Sequence, residues 1–381
     1  MMNNADWKRV RFGEVVRQVK DKVDPETSGL ERYIAGEHMD TDDLRIRRWG
    51  EINDDYLGPA FHMRFKPGQV LYGSRRTYLR KVAVPDFEGI CANTTYVLEP
   101  KDPTVLLPEL LPFIMQTERF HEHSIKQSKG SVNPYINFSD IAWYEFALPP
   151  LEEQRRFVEA LTVCEDVSNL YKQLIQCSSA LCKSVQEGLL LGEKERETIR
   201  LDKFMHINPR EASLSEDDPF VPMEAVDEWQ RSIERFERRG RRGGARARGG
   251  DILLARITPC LENGKTAQVP ASIERCGGST EFIVLRAKQD VDPDYVYWVA
   301  TSPRVRHRAI GLMHGSTGRQ RLVASDFASI RIPIPDLQLA AKAIVVLNSL
   351  EAESKEFLAR LHSCKRIKSA ILSEMTYGDR S

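Results

Sequence analysis

Apolar positions in two long segments of the chain follow the spacing of a coiled coil. In the first segment they fall at Val167, Leu170, Leu174, Cys177 and Leu181, with alternating steps of three and four residues. This spacing is typical of the seam between two paired helices. A second stripe, near the end of the sequence, consists of Phe357, Leu361, Cys364, Ile367, Ile371 and Met375.

Prolines introduce both predicted helices. Residues 148–154 read Leu-Pro-Pro-Leu-Glu-Glu-Gln, and residues 332–337 read Ile-Pro-Ile-Pro-Asp-Leu. The prolines fix an extended backbone, and the acidic residues that follow suit the positive end of a helix dipole. Gly192 is expected to end the first helix, since glycine is common just after a helix C-terminus.

The segment before each helix has the pattern of a mixed α/β globule. Residues 17–100 are rich in Gly, Pro and β-branched residues, with strand-like runs at 69–72 and 94–98. Residues 108–123 carry apolar side chains at helical spacing and are predicted to form a helix.

The two globular segments repeat one plan. Gly250 lies 182 residues after Gly68, at the start of a similar strand pattern. The helical segment 293–310 follows 108–125 at an offset of 185. The period is far too long for a solenoid. Offsets that agree within a few residues predict an α+β fold: a tandem, pseudo-two-fold repeat of two mixed α/β domains joined by two long antiparallel coiled-coil helices.

Composition limits the classes of function open to this chain. Its 381 residues allow two domains or more, and Lys plus Arg equals Asp plus Glu at 55 each. A nucleic-acid partner would therefore bind local basic patches. No run reaches the ~18 apolar residues of a membrane span, and no signal-peptide pattern opens the sequence. The seven scattered cysteines lack metal-site spacing and suit a reducing cytoplasm, where we expect this protein.

Several motifs resemble those of the specificity subunits of Type I restriction-modification systems. They are the two proline-led helix starts, the Gly-Ser turns at 130–131 and 315–316, and the segments 250–265 and 278–282. The likeness covers nearly the whole chain and is most specific in its second half. It implies two target recognition domains, at residues 1–148 and 197–334, and two conserved spacer helices, at 149–196 and 335–381.

The resemblance also implies a function. Each target recognition domain would read one half of a bipartite double-stranded DNA target through the major groove. The paired helices would act as a spacer and as a docking surface for two methyltransferase (M) subunits, through which restriction (R) subunits would join. The chain itself would be non-catalytic and hold no cofactor or metal, and S-adenosylmethionine is expected in the methyltransferase subunits. DNA methylation and phage defence would belong to the complex.

Basic residues interleaved with polar and aromatic ones mark candidate DNA contacts in the first domain. One cluster lies at residues 75–81, and the other surrounds the first Gly-Ser turn. The predicted contacts are Arg75, Arg76, Tyr78, Arg80, Lys81, Lys129, Asn133 and Tyr135.

An arginine run supplies candidates in the second domain. Between Arg235 and Arg248 the chain has seven arginines and one acid, Glu237. Glycines within the run predict a flexible loop, either solvated or ordering on DNA as a phosphate-binding arm. The predicted contacts are Arg238, Arg239, Arg241, Arg242, Arg256, Lys265, Arg319, Gln320 and Arg321, with the role of Lys265 implied by the resemblance. Asn133, Gln320 and one or more arginines are predicted to read bases.

Docking to other subunits is predicted at the helix starts and along the seams. The candidate interface residues are Glu153, Gln154, Leu174, Leu181, Leu361 and Ile371. The second helix has Leu339 and Ala340 where the first has Glu153 and Gln154. A contact made through the Glu-Gln pair would therefore be lost at the second helix.

Three motifs fall short of catalytic or metal sites. Residues 133–135 (Asn-Pro-Tyr) lack one proline of the amine-holding motif of amino-methyltransferases. Residues 263–265 (Asn-Gly-Lys) lack the upstream glycine of a phosphate-binding loop, because Pro259 holds that position. His121 and His123 point to different faces of a helix and are expected to be exposed rather than metal ligands.

Two other classes of function stay open at this point. The balanced net charge favours a non-catalytic protein-interaction adaptor with duplicated globular domains. A methyltransferase-nuclease acting alone is disfavoured, because both the Gly-rich cofactor loop and the full amine-holding motif are missing.

Overall fold

The computed structural model describes residues 7–52, 57–192, 197–316 and 318–377. They fall into two compact units. Unit 1 contains the chain up to Tyr171 and from Ala359 onwards, and unit 2 contains Lys172–Leu358. Each unit combines one globular segment with part of both long helices.

The described strands of unit 1 form a two-stranded ribbon and two four-stranded sheets. The antiparallel ribbon consists of β1 (Lys8–Arg11) and β10 (Glu145–Leu148). The first sheet has the order β2 (Val16–Val19), β9 (Thr95–Pro100), β6 (Val70–Gly73) and β7 (Val82–Ala83). The second has the order β4 (Gly50–Glu51), β3 (Arg32–Ile34), β8 (Gly89–Ala92) and β5 (Phe61–Phe65), with β3 and β8 parallel.

Strand β6 lies between two hydrophobic cores. Val70 and Tyr72 belong to the core that contains Phe12 and Phe120, whereas Leu71 belongs to the second core of the unit. Successive side chains of a strand face opposite sides of the sheet, so a run of consecutive apolar residues is needed where both faces are covered.

Apart from its parts of the two long helices, unit 1 has only short helices among its described residues. They are α1 (Phe12–Val15), α2 (Leu111–Ile114), α3 (Glu118–Lys126) and α4 (Phe138–Ala142), with 3-10 turns at Gly36–His38 and Thr77–Leu79. The single helix predicted over 108–123 is wrong. The helix is interrupted at Thr117, whose backbone is extended and whose side-chain hydroxyl caps α3 by accepting a hydrogen bond from Phe120 N.

Unit 2 repeats this order of elements. Its ribbon pairs β11 (Thr198–Arg200) with β22 (Arg331–Pro333). Its first sheet has the order β12 (Met205–Ile207), β19 (Phe282–Ala287), β16 (Ile252–Ala255) and β17 (Thr266–Gln268). Its second sheet has the order β14 (Glu237–Arg238), β13 (Pro219–Val221), β18 (Cys276–Gly278) and β15 (Ala245–Ala247), with β13 and β18 parallel. The remaining elements are the hairpin β20 (Met313–Ser316) and β21 (Arg319–Leu322), the helices α6 (Pro293–Ala300), α7 (Pro303–Gly311) and α8 (Ala324–Ser329), and 3-10 turns at Leu201–Lys203 and Met223–Ala225.

The repeat therefore extends from sequence to sheet topology. Strand β16 takes the place of β6, and its alternate residues again divide between two cores: Ile252 and Leu254 lie in one and Leu253 in the other. The predicted tandem repeat of two mixed α/β domains with long helices is confirmed.

The two long helices are α5 (Leu151–Val185) and α9 (Leu337–Tyr377). A π-helical turn, Gln186–Leu190, extends α5, and Gly192 follows with φ of +69°, so the predicted glycine stop is confirmed.

The helices pair antiparallel within each unit. In unit 1, Phe157 and Leu161 share a core with Met375, and Lys368 Nζ donates to the Glu165 carboxylate. In unit 2, Ser178 Oγ donates to Leu350 O at 3.3 Å.

The seam predicted on α5 is wrong. Leu170 and Leu181 are 53% and 49% exposed, whereas Phe157, Leu161, Ser168, Ser178 and Val185 are buried. The buried positions keep heptad spacing but in a register shifted by one residue, and two of them are serines that a search for apolar residues overlooks. On α9 the predicted stripe holds except at Ile367, which is exposed beside the inward-facing Lys368.

Gln154 anchors the start of α5. Its amide nitrogen donates to Val105 O and Pro149 O, both at 2.8 Å, and its Oε1 accepts from Leu107 N at 2.9 Å. The side chain is 1% exposed, so the predicted role of Gln154 in a subunit interface is corrected to an internal one. Ala340 occupies the corresponding buried position of α9.

Replacing Gln154 by alanine is expected to lower the free energy of unfolding of unit 1 by about 1–3 kcal/mol, because partly shielded backbone groups lose their hydrogen bonds. Urea unfolding measures this change. The matched control is Arg155→Ala, an exposed neighbour whose loss should change stability by no more than about 0.5 kcal/mol. Equal stability of the two variants would contradict the anchoring role.

In each unit, an arginine at the same repeat position connects the globular segment to a long helix. In unit 1, Arg45 pairs with Asp166 of α5 at 2.5 Å. In unit 2, Arg231 contacts Asn348 at 3.1 Å and Glu351 at 3.5 Å on α9. Arg231 is the more buried of the two, with 13% of its side chain exposed against 47% for Arg45.

Candidate nucleic-acid interface

Two loops of unit 1 come together beside the end of β6. Arg76 N donates to Pro134 O at 2.6 Å, and the buried Thr77 hydroxyl lies 2.8 Å from the Ser128 hydroxyl. These contacts hold residues 74–79 against residues 128–136. The first basic surface is defined as the exposed side chains that these loops present: Arg75, Arg76, Tyr78, Asn133 and Tyr135.

The guanidinium groups of the first basic surface keep their charge uncompensated. Arg75 Cζ lies 5.7 Å from the centroid of the Tyr135 ring, and Arg76 Nε donates to Asn133 Oδ1 at 3.3 Å. Within the described ranges, neither arginine forms an ion pair with a carboxylate. Arginine, amide and phenol groups held side by side can reach both phosphates and base edges.

Three other predicted contacts of unit 1 have internal partners. Arg80 pairs with both carboxylate oxygens of Glu118, at 2.5 and 2.6 Å, and Lys81 Nζ donates to the Gly36 carbonyl. Lys129 pairs with Asp140 at 2.8 Å, and this hydrogen bond raises the pKa of the lysine. These residues shape the loops, and a DNA contact by any of them would compete with the pair that it already makes.

His121 lies beneath this region and is buried, so the prediction that it is exposed is wrong. It is 1% exposed, and burial, together with the nearby Arg80, lowers its pKa to about 4. A neutral, buried imidazole is the expected form at neutral pH. His123 is half-buried and its Nε2 lies 2.9 Å from Asp140 O. No group of three or more His, Cys, Asp or Glu in the described parts of the chain is arranged to hold a metal ion.

Unit 2 brings the equivalent two loops together. Thr258 N donates to Gln320 O at 3.0 Å, and Leu322 N donates to Arg256 O at 2.8 Å, so the β20–β21 hairpin lies against residues 256–258. The bridge between Ile257 and Arg321 repeats the bridge between Arg75 and Tyr135 in unit 1.

The second basic surface is defined as Arg319, Gln320 and Arg321 on β21. Arg321 forms an ion pair with Glu281 at 2.7 Å, whereas exposed Arg319 has no carboxylate partner in the described part of the chain. The Glu281 pair fixes the orientation of the Arg321 guanidinium. Arg319 and Gln320 are therefore the side chains of this surface that are open to a ligand.

The predicted contacts Arg256 and Lys265 are half-buried. Arg256 Nε is buried without a hydrogen-bond partner among the described residues, and Lys265 Nζ donates to Met223 O at 3.2 Å.

Next to Lys265 lies an aromatic group that the sequence did not single out. Trp229 is 57% exposed, its ring packs on Gly264, and the Arg306 guanidinium lies 3.7 Å from its centroid. Burial lowers the pKa of Arg306. In the sequence, Trp229 is a single aromatic residue among charged ones, which is only a weak signal for a binding site.

The four arginines of the run that were predicted to contact DNA are paired with carboxylates and carbonyls rather than free. Short strands β14 and β15 occupy its two ends, so the prediction of a loop is wrong there. The pairs are Arg238 with Asp217, Arg239 with the carbonyls of Leu214 and Ser215, Arg241 with Glu216 at 3.2 Å, and Arg242 with Glu237 at 2.5 Å. We call residues 214–218 the acidic strip. It supplies most of the oxygens that face the run.

The remaining predicted interface residues divide between the inside and the surface. Leu361 is buried and Ile371 packs against the core of unit 1, so both belong to the seam between the long helices. Leu181 is exposed and Leu174 is half-buried. Glu153 accepts a hydrogen bond from Trp7 Nε1 at 2.8 Å. No helix within the described ranges has the length and apolar character needed to cross a membrane.

Comparison with known families gives a match over the first part of the chain. Residues 4–176 match the family model described as the Type I restriction modification DNA specificity domain. The specificity subunit of the Type I restriction enzyme EcoDI of Escherichia coli is 28% identical over 201 residues, which is 50% of this chain and 43% of that protein. The EcoAI specificity subunit of E. coli is 27% identical over 189 residues, 46% of this chain and 32% of that protein. Each match thus spans less than half of the relative's own length.

Solved structures share the fold over nearly the whole chain. The S subunit of a Type I restriction-modification system from M. genitalium has a TM-score of 0.59 at 14% identity, covering 99% of this chain and 98% of that one. A chain from a study of complex assembly and conformational transition in the type I R-M system has a TM-score of 0.55 at 20% identity, with 98% of each chain covered. At such identity the likeness concerns the fold.

Proposed function

We propose that this chain is the non-catalytic DNA-recognition subunit of a Type I restriction-modification complex, because residues 4–176 match the Type I restriction modification DNA specificity domain. Each unit reads one half of a bipartite double-stranded DNA target. The observation that carries this proposal is the recurrence, in both units, of the same pair of loops presenting arginines without carboxylate partners in the described ranges: Arg75 and Arg76 in unit 1 and Arg319 in unit 2.

The proposed division of labour follows from side-chain chemistry. Asn133 and Gln320 have amide groups that pair with adenine, and arginine pairs with guanine through two hydrogen bonds. The arginine run contacts phosphates, which position the protein without reading sequence. The catalytic reactions are carried out by partner subunits. These are methyltransferase (M) subunits, which bind S-adenosylmethionine, and restriction (R) subunits joined through them. We place the complex in the cytoplasm, with the host DNA.

Apolar side chains left exposed on the long helices support partner docking. Leu170 and Leu181 are half exposed on α5, and Leu337 and Val345 are 79% and 70% exposed near the start of α9. Position 341, one turn after Leu337, is Ala, whereas the corresponding position of α5 is the charged Arg155. We infer that the start of α9 binds a partner through apolar contact, and the start of α5 through charged groups around Glu152 and Arg155.

Genome methylation profiling, with and without the gene for this chain, tests the proposed function. The expected result is an adenine-methylated motif of two short blocks with a gap of fixed length, which disappears when the gene is deleted. An unchanged methylation pattern, together with a neighbouring methyltransferase gene that stays active, would contradict the proposal and favour a protein-interaction adaptor.

The acidic strip is expected to weaken binding to DNA of random sequence, because its carboxylates occupy guanidinium groups that phosphates would bind. A Glu216→Gln/Asp217→Asn variant should bind such a duplex more tightly. Its affinity should also fall more steeply with salt, with a slope steeper by about 0.9 for each additional phosphate that the freed arginines bind. Fluorescence anisotropy over a salt series measures both quantities.

The matched control for that variant is Glu353→Gln/Glu374→Gln, which removes two exposed carboxylates from α9. If the control raises affinity and salt slope equally, net charge explains the effect and the acidic strip has no competing role.

A further inference from the structure

Unit 2 contains a basic cleft that no part of the proposed function uses. It is open, measures about 450 Å³, and lies where the end of the first long helix, α7 and the β11–β22 ribbon meet. Its walls include Glu187, Thr198, Arg304, His307, Arg308 and Arg331.

One of the three arginines in the cleft is neutralised. Arg304 Nε donates to the Glu187 carboxylate at 2.9 Å, and its backbone N donates to the same carboxylate at 2.8 Å. Its remaining guanidinium nitrogens lie 3.3 Å from Gly192 O. Arg304 and Glu187 therefore form a structural pair that ties α7 to the end of the long helix.

The other two arginines bind only uncharged oxygens. Arg331 donates to the Thr198 hydroxyl at 2.8 Å and to Thr198 O at 2.7 Å, and Arg308 donates to the Arg331 carbonyl. In the described ranges of the chain, neither Arg308 nor Arg331 is ion-paired. These bonds orient the two guanidinium groups, and among the described residues no carboxylate compensates their positive charges; the exposed His307 lies beside them.

In unit 1 the residue equivalent to Arg331 has the opposite charge. In the β1–β10 ribbon, Arg11 lies opposite Glu145, which pairs with Arg9 and Arg11 at 3.2 Å each. In the β11–β22 ribbon, Arg200 lies opposite Arg331. The second copy thus has a guanidinium group where the first copy has the carboxylate that neutralises its ribbon.

We propose that this cleft binds a phosphate group. Two oriented guanidinium groups on one wall of a cleft suit the tetrahedral oxygens of phosphate, which accept paired N–H donors. The phosphate belongs to a free phosphoryl compound or to the backbone of a bound nucleic acid. The inference is independent of the proposed function, since it uses none of the residues of the first or second basic surface.

Thermal unfolding in sodium phosphate and in sodium pyrophosphate, against sodium chloride at equal ionic strength, tests the cleft. Phosphate or pyrophosphate should raise the Tm of the full chain by about 2–4 °C when the site is well filled. Arg331→Glu, which installs the residue of the first copy, should abolish the rise, and Arg308→Ala should weaken phosphate binding at least tenfold.

Arg9→Ala is the matched control, because it removes one ribbon arginine outside the cleft and should leave the phosphate effect intact. If Arg331→Glu fails to fold, Arg331→Gln removes the charge without adding a carboxylate. An equal Tm in phosphate, pyrophosphate and chloride, or an equal rise in the wild type and both cleft variants, would overturn the proposal.

Measuring the affinity of the wild type and the cleft variants for a random-sequence duplex distinguishes the two possible sources of the phosphate. If the nucleic-acid backbone fills the cleft, Arg308→Ala and Arg331→Gln should each reduce the salt slope of DNA affinity by about 1. If a free phosphoryl compound fills it, DNA affinity stays unchanged while the rise in Tm is lost. Either pattern supports a phosphate site.

Discussion

An Arg231→Ala variant is expected to lose about 3 kcal/mol of the free energy of unfolding of unit 2, near the low end for removing one partner of a buried ion pair. The guanidinium group contacts Gln268 at 2.7 Å and Asn348 at 3.1 Å and also pairs with Asp294. It lies 4.7 Å from the centroid of the Tyr297 ring. Alanine leaves the half-buried carboxylate of Asp294 without its cation.

Urea unfolding, read by hydrogen exchange in β17 and α6, measures this loss within unit 2. The matched control is Arg45→Ala, which removes the corresponding arginine of unit 1. Arg45 is about half exposed, so its pair with Asp166 should contribute no more than about 1 kcal/mol. Equal losses of unfolding free energy in the two variants would show that burial does not determine how much these two arginine contacts stabilise their units.

Replacing Arg75 and Arg76 together by alanine is expected to cause the largest loss of DNA affinity. Each arginine that reads a base contributes about 1–3 kcal/mol of discrimination, so binding at one half-site should fall tenfold or more. Binding at the other half-site should not change, because its contacts belong to unit 2. Anisotropy with duplexes that carry one intact and one scrambled half-site measures the two effects separately.

Arg17→Ala is the control for that double variant. Arg17 is an exposed arginine of the same unit, paired with Glu99 at 2.6 Å on a sheet edge away from the two loops. Its removal lowers the net charge without touching the first basic surface. A similar loss of affinity in the control would mean that charge alone, and not these two side chains, governs binding.

The repeat and the long helices could be predicted because they rest on local patterns. The offset between Gly68 and Gly250 already located the equivalent strands β6 and β16, and prolines located both helix starts. Heptad spacing identified the helices but not the seam of α5. Ser168 and Ser178 fill the buried positions there, while Leu170 and Leu181 face outwards.

The candidate site was less predictable because partners distant in sequence decide it. The arginine run is paired mainly with carboxylates and carbonyls about two dozen positions earlier, as in the pair of Arg241 with Glu216, and no local rule links the two segments. Gln154 looked like a surface residue on a helix start, yet the chain at Leu107 folds over it. Residues 75–76 and 133–135 were predicted separately as DNA contacts, and the structure adds that Arg75 and Tyr135 are bridged to each other.

Selection of bound sequences from a random duplex library tests the central claim, that each unit reads its own half of a divided target. The chain should enrich two short blocks separated by a gap of constant length and free sequence. Arg75→Ala/Arg76→Ala should erase one block, and Arg319→Ala/Gln320→Ala should erase the other. Enrichment of a single continuous block, or loss of both blocks in either variant, would contradict the account.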